Sequence, residues 1–99
     1  MSDAQIIYWR DIPTQIVAGK GRKAKKRALA PRFLVAVDKA AMKSGASDTD
    51  AYLEEWRKAP VELEGDDLEA AIEALAERIE TEYSAKRLAE LAERGGSEA

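Results

Sequence analysis

Apolar positions along this 99-residue chain follow two different periods. Ile6-Ile7-Tyr8-Trp9 is β-branched and aromatic and predicts a strand, and a second such cluster runs from Ile12 to Val17. Arg10-Asp11 separates the two, so they predict a β-hairpin. Pro13 must then sit at a strand start or on an edge, because it has no N–H to give to a ladder. Gly19-Lys20-Gly21 ends the second strand.

The period then lengthens. Leu29, Phe33, Val37 and Ala41 recur every four residues, and Leu34 and Ala40 widen the stripe, as in an amphipathic helix. Proline is unfavourable inside a helix and favourable at its first position, so Pro31 predicts a helix over about 31–43, stopped near Gly45. Residues 22–30 then form a helical or turn-like approach. The run 33–37 is apolar nearly all round and predicts a helix covered on more than one side. Ser47-Asp48-Thr49-Asp50 offers N-caps for a short helix at Ala51-Tyr52-Leu53-Glu54-Glu55-Trp56. Tyr52, Glu54 and Trp56 also alternate, so residues 51–57 fit a helix or a strand. Pro60 closes that segment, and 61–64 is a candidate third strand. Leu68, Ile72, Leu75, Ile79 and Tyr83 mark the clearest helix, begun by Asp66-Asp67 where acids suit the helix dipole. Ser84 caps a last helix carrying Leu88 and Leu91, stopped by Gly95-Gly96. The sum is an α+β domain over 1–94: a small antiparallel sheet, the N-terminal hairpin plus a candidate third strand, packed by three to four helices. Residues 95–99 read as a frayed tail.

Composition narrows the chemistry. The chain has no histidine and no cysteine, which removes disulfides, thiolate nucleophiles, His or Cys metal sites and the commonest general base. Five residues is the longest apolar run, against roughly 20 for a membrane helix, and no secretory signal opens the sequence. The expected location is the cytoplasm. The net charge of −3 hides an asymmetry: residues 1–45 carry ten basic and three acidic side chains, residues 46–99 six and sixteen. Such a split points to an anionic partner, or to two halves that attract each other.

The densest local feature is Gly19-Lys20-Gly21-Arg22-Lys23-Ala24-Lys25-Lys26-Arg27, six of whose nine residues are basic. Coulomb attraction and exposed N–H groups suit it to phosphates, although it matches neither a P-loop nor a dinucleotide fingerprint. Nucleic-acid binding through 19–27 is therefore the alternative reading. The plainer one is a solvated basic turn pairing with the acidic half. Glu69, Glu73 and Glu77 form a like-charged stripe that is costly alone and is offset by a basic face, either Arg22 to Arg27 or another protein. Glu62, Glu64, Asp66 and Asp67 lack the spacing of a calcium loop, and capping explains the last two. Ser44, Ser47, Ser84, Lys39 and Lys43 sit in no motif that would make one a nucleophile or base. No catalytic residue, metal site or cofactor is expected.

Ile6-Ile7-Tyr8-Trp9-Arg10-Asp11-Ile12-Pro13, Gly21-Arg22-Lys23, Lys26-Arg27, Arg32-Phe33, Asp38-Lys39-Ala40-Ala41-Met42, Thr49-Asp50-Ala51-Tyr52-Leu53-Glu54-Glu55-Trp56-Arg57 and Gly65-Asp66-Asp67-Leu68-Glu69 together resemble the small bacterial virulence factor domain family. Pro31 departs from that pattern. The resemblance carries no catalytic residues; it implies an accessory or regulatory subunit, with one-carbon and folate enzymes as neighbouring chemistry. A non-catalytic module that binds a protein partner is the leading expectation, through Arg10, Arg22, Lys23, Lys26, Arg27 and Trp56. Trp-Arg pairs at 9–10 and 56–57 support it, since both residue types are enriched at interfaces. Whether Trp9 and Trp56 belong to core or interface is open from the residues, as are the partner's identity and the oligomeric state.

Overall fold

A computed structural model describes residues 2–19, 24–45, 49–63 and 67–97. In chain order the elements are β1 (Ser2–Trp9), β2 (Ile12–Ala18), β3 (Lys25–Ala28), α1 (Pro31–Ser44), α2 (Thr49–Glu54), β4 (Trp56–Leu63), α3 (Leu68–Glu82) and α4 (Ala85–Glu93). The four strands form one antiparallel sheet in the order β3-β2-β1-β4. The expected hairpin is its centre, and α+β is the fold class.

Register explains the burial. Ala4 faces Ala18 and Ile6 faces Ile16 across the hairpin, and these four side chains are buried. Between Ile7 and Tyr8 the register shifts, leaving Thr14 as an extra residue on β2. Buried Thr14 closes this bulge by donating Oγ1–H to the Ile7 carbonyl at 2.8 Å. The bulge re-phases the chain: Trp9 and Ile12, one pair further on, are both fully buried. Pro13 lies opposite Tyr8 at this irregularity, beyond the span where β3 pairs with β2, so no ladder bond needs its N–H.

Three expectations are corrected. The approach to α1 is a strand over Lys25–Ala28, held on the edge of the sheet against β2. Residues 51–57 divide between α2 and the start of β4, and Pro60 lies inside β4 instead of closing a segment. Pro60 pairs with Gln5 on the other edge strand, where a missing donor is tolerated. The third correction is to the covering of α1. Its buried side is Phe33, Ala36, Val37, Ala40 and Ala41, whereas Leu34 and Val35 are 51% and 52% exposed.

The helix ends follow their sequence signals. Pro31 opens α1, and Gly45 ends it in a left-handed conformation (φ +77°). Asp67 caps α3 by accepting from the Ala70 N–H, and Ser84 caps α4 by accepting from the Arg87 N–H. Of the other cap candidates, Asp66, Ser47 and Asp48 lie outside the described residues, and Thr49 and Asp50 fall inside α2. Helix α3 packs on β2, β3 and β4 through Ile72, Leu75, Ala76 and Ile79, while α1 packs on α4 and β2. Gly95 and Gly96, read from the sequence as the start of a tail, are buried.

Candidate functional site

The basic strand meets the acidic helix. Strand alternation puts Lys25 and Arg27 on the same face as their partners Ala18 and Ile16, under α3, and turns Lys26 to the opposite face. Lys25 Nζ lies 2.7 Å from Glu69 Oε1, Arg27 Nε lies 2.9 Å from Glu73 Oε1, and a second Arg27 nitrogen lies 3.4 Å from Glu80 Oε2. Glu80 also accepts from the Ala30 N–H at 2.9 Å, so one carboxylate holds both the end of β3 and the entry to α1. The hydrogen bond to Glu73 raises the Arg27 pKa above its ordinary value. The like-charged stripe is thus offset from within the chain. Glu80 takes the place expected of Glu77, because a helix drifts about 40° in four residues and returns to within about 20° in eleven. Arg22 and Lys23 lie outside the described residues.

The other predicted residues gather at the opposite corner. Arg10 adopts φ +55°, the one left-handed non-glycine among the described residues. That geometry stacks its guanidinium 5.1 Å from the Trp9 ring centre, with Nε 3.2 Å from Glu55 and a terminal nitrogen donating to the Gly95 carbonyl at 2.9 Å. The Asp11 N–H donates to the Gly96 carbonyl at 2.9 Å. Arg57 donates to the Arg10 carbonyl at 2.8 Å, reaches Asp11 at 3.3 Å and stacks 4.5 Å over Tyr8. Trp9 is core: it is fully buried, and its Nε1–H donates to the Tyr52 carbonyl at 2.9 Å. Trp56 is half-buried, edge-on to Tyr52 at 5.8 Å. Burial raises the hydroxyl pKa of Tyr8, with Arg57 opposing and Asp11 and Glu82 adding to it. Burial, then Asp38, raises that of Tyr52.

The residues singled out from the sequence therefore form two groups. Lys26 and Arg27 lie on edge strand β3; Arg10 lies in the β1–β2 turn and Trp56 starts β4, the opposite edge strand, three inter-strand gaps or about 14 Å across the sheet from β3. Arg10 and Arg27 spend their charge on bonds within the chain. Glu64 and Asp66 lie outside the described residues, among which no group of three or more carboxylates is placed to hold a metal. No described helix is long and apolar enough to cross a membrane.

A surface that sequence reasoning missed lies on α1 and α2. The exposed large hydrophobics among the described residues are Leu34, Val35, Met42 (67%) and Leu53 (59%). Asp38 of α1 lies near enough to Tyr52 of α2 to add to the rise in its hydroxyl pKa. The signal was the apolar run 33–37, too apolar for the single side that α1 buries.

A family model described as "Virulence factor" matches residues 7–92, from β1 to the last turn of α4. The chain belongs to the virulence factor family. No curated protein and no solved structure matches it. Within this virulence factor domain several described residues of the blocks that carried the resemblance hold the fold together. Tyr8, Trp9, Arg10 and Asp11 form the corner with Tyr52, Glu55 and Arg57, and Asp67 and Glu69 open α3.

Proposed function

We propose that this virulence factor domain is a non-catalytic protein-interaction module, an accessory or regulatory subunit working in the bacterial cytoplasm, and that it meets its partner through the outer side of α1 and α2. The observation that carries this reading is the exposure of Leu34, Val35, Met42 and Leu53, large hydrophobics of α1 and α2. Large contiguous apolar surface left open to water marks a protein–protein interaction site. The nucleic-acid alternative loses support from the ion pairs that take up Lys25 and Arg27. Lys26 stays exposed and available as a peripheral contact.

Tagged chain captured from its own host, with and without nuclease, tests the reading. A stoichiometric protein that survives nuclease is expected, and it should be lost from Leu34→Glu and Leu53→Glu variants whose melting is unchanged. Capture that persists in both variants, or companions that vanish on nuclease treatment, would refute it.

A further inference from the structure

Helices α1 and α4 lie side by side and run in the same direction. Phe33 and Tyr83 meet at their start, with ring centres 6.1 Å apart, and Lys43 and Glu93 meet at their end at 3.3 Å. Between them, towards that end, is an open cavity of about 370 Å³ lined by Lys39, Met42, Lys43, Ala92 and Glu93. We infer that this groove docks an amphipathic helix of the partner whose flanks are acidic, an inference that rests on the protein-interaction reading above.

Shape and charge both support that occupant. Ala92 keeps the groove open, and Met42, 67% exposed, forms its lip. Val35 stands seven residues before Met42, two turns back on nearly the same line, so the lip continues along α1. An apolar stripe of this kind beside a groove is the usual receptor for a helix with apolar anchors at i, i+3 or i+4, and i+7, and methionine adapts to the anchors it meets. Lys39 and Lys43, four residues apart, line the same groove. Lys39 has no ion pair among the described residues, and Lys43 has only Glu93 in a pair exposed at both ends (56% and 71%). Asp38 projects about 100° from Lys39 and about 140° from Lys43 round the helix, and forms no ion pair with either among the described residues. With Glu93 set against Lys43, the lining keeps one net positive charge, on Lys39, and complementarity calls for a carboxylate beside the anchors. Acidic α3 of a second copy is not such a helix: its apolar side is buried against its own sheet and Glu69, Glu73 and Glu80 are already paired.

Two designed helical peptides with the same leucine stripe, one flanked by glutamates and one by lysines, titrated into the full chain test the inference. Amide chemical-shift mapping and fluorescence anisotropy read the outcome. The acidic peptide should shift Lys39, Met42, Lys43, Ala92 and Glu93 and bind about tenfold or more tightly than the basic one. The double variant Lys39→Glu/Lys43→Glu should reverse that order, and the milder Lys39→Gln should reduce it. Failure of the acidic peptide to bind, equal affinities, shifts centred elsewhere, or an order unchanged in the double variant would overturn the inference. If that happened while Leu34→Glu and Leu53→Glu still abolished capture, the module reading would stand and only the groove would fall.

Discussion

Replacing Gly96 by alanine should cost this domain far more than one methyl group ordinarily does. Two effects add at this position. Its φ of +90° is one that residues with a Cβ rarely adopt, and left-handed backbone costs them about 1–2 kcal/mol. The new Cβ would also stand 3.0 Å and 3.3 Å from two carbons of the Trp9 ring and 3.4 Å from the Ala40 Cβ. Carbon pairs rest at about 3.5–4.0 Å, and overpacking of this kind costs about 1–3 kcal/mol. Trp9 cannot withdraw, since its Nε1–H is bonded to Tyr52 and Arg10 covers its ring. The total is about 2–5 kcal/mol, which lowers the melting midpoint of a domain this size by about 8 °C or more. Gly45→Ala is the control: φ is +77° there, but a Cβ would meet nothing within 4 Å, leaving only the backbone cost of about 1–2 kcal/mol. Thermal unfolding followed by circular dichroism, with all three proteins in one buffer, measures the difference. Equal midpoints for the two variants would show that the segment after α4 is not clamped on Trp9.

Three further expectations follow from the same contacts. Thr14→Val removes the donor that the Ile7 carbonyl uses at the bulge and should cost about 1–2 kcal/mol by urea titration; an unchanged midpoint would mean that the bulge does not need the bond. Arg27→Gln loses contacts to Glu73 and Glu80 that are partly open to water, so its cost should be about 1 kcal/mol or less and should shrink as salt is added; a salt-independent loss would point to packing instead. The hydroxyls of Tyr8 and Tyr52, raised above 10.0 mainly by burial, hold their protons more tightly folded than unfolded. Their contribution is complete below pH 10 and is lost as the pH climbs through the raised values, so stability should fall on the alkaline side, with phenolate absorbance from these two appearing late. Phenolate formation at the ordinary pH for all three tyrosines would contradict that.

Elements that announce themselves locally were legible in the sequence. Pro31 and Gly45 bracket α1, the spacing from Leu68 to Ile79 defines α3, and Ser84 marks the start of α4. Strand β3 was not, because Lys-Lys-Arg-Ala has no apolar alternation; pairing with β2 and the glutamates of α3 make it a strand. Trp56 starts a strand while Tyr52, four residues earlier, is helical, and one window of alternation spans that junction. Charge was more informative than pattern in one respect: the spacing of Glu69 and Glu73 already called for a basic face. The α1–α2 surface escaped notice because an apolar run records how much a helix could bury, not which neighbours exist to cover it. Its exposure is a tertiary fact.

The closing of Trp9 also sets a schedule for making the protein. Arg10, which covers that ring, and Gly95, whose carbonyl holds Arg10, are 85 residues apart. At about 5–20 residues per second, a ribosome takes roughly 4–17 s to travel from one to the other. Throughout that interval the nascent chain carries its largest apolar side chain with no lid, and strand β1 lacks β4 for much of it. The domain cannot be assembled in instalments from its N-terminus, and a holdase that favours exposed aromatic segments should find its opening residues on every chain synthesised.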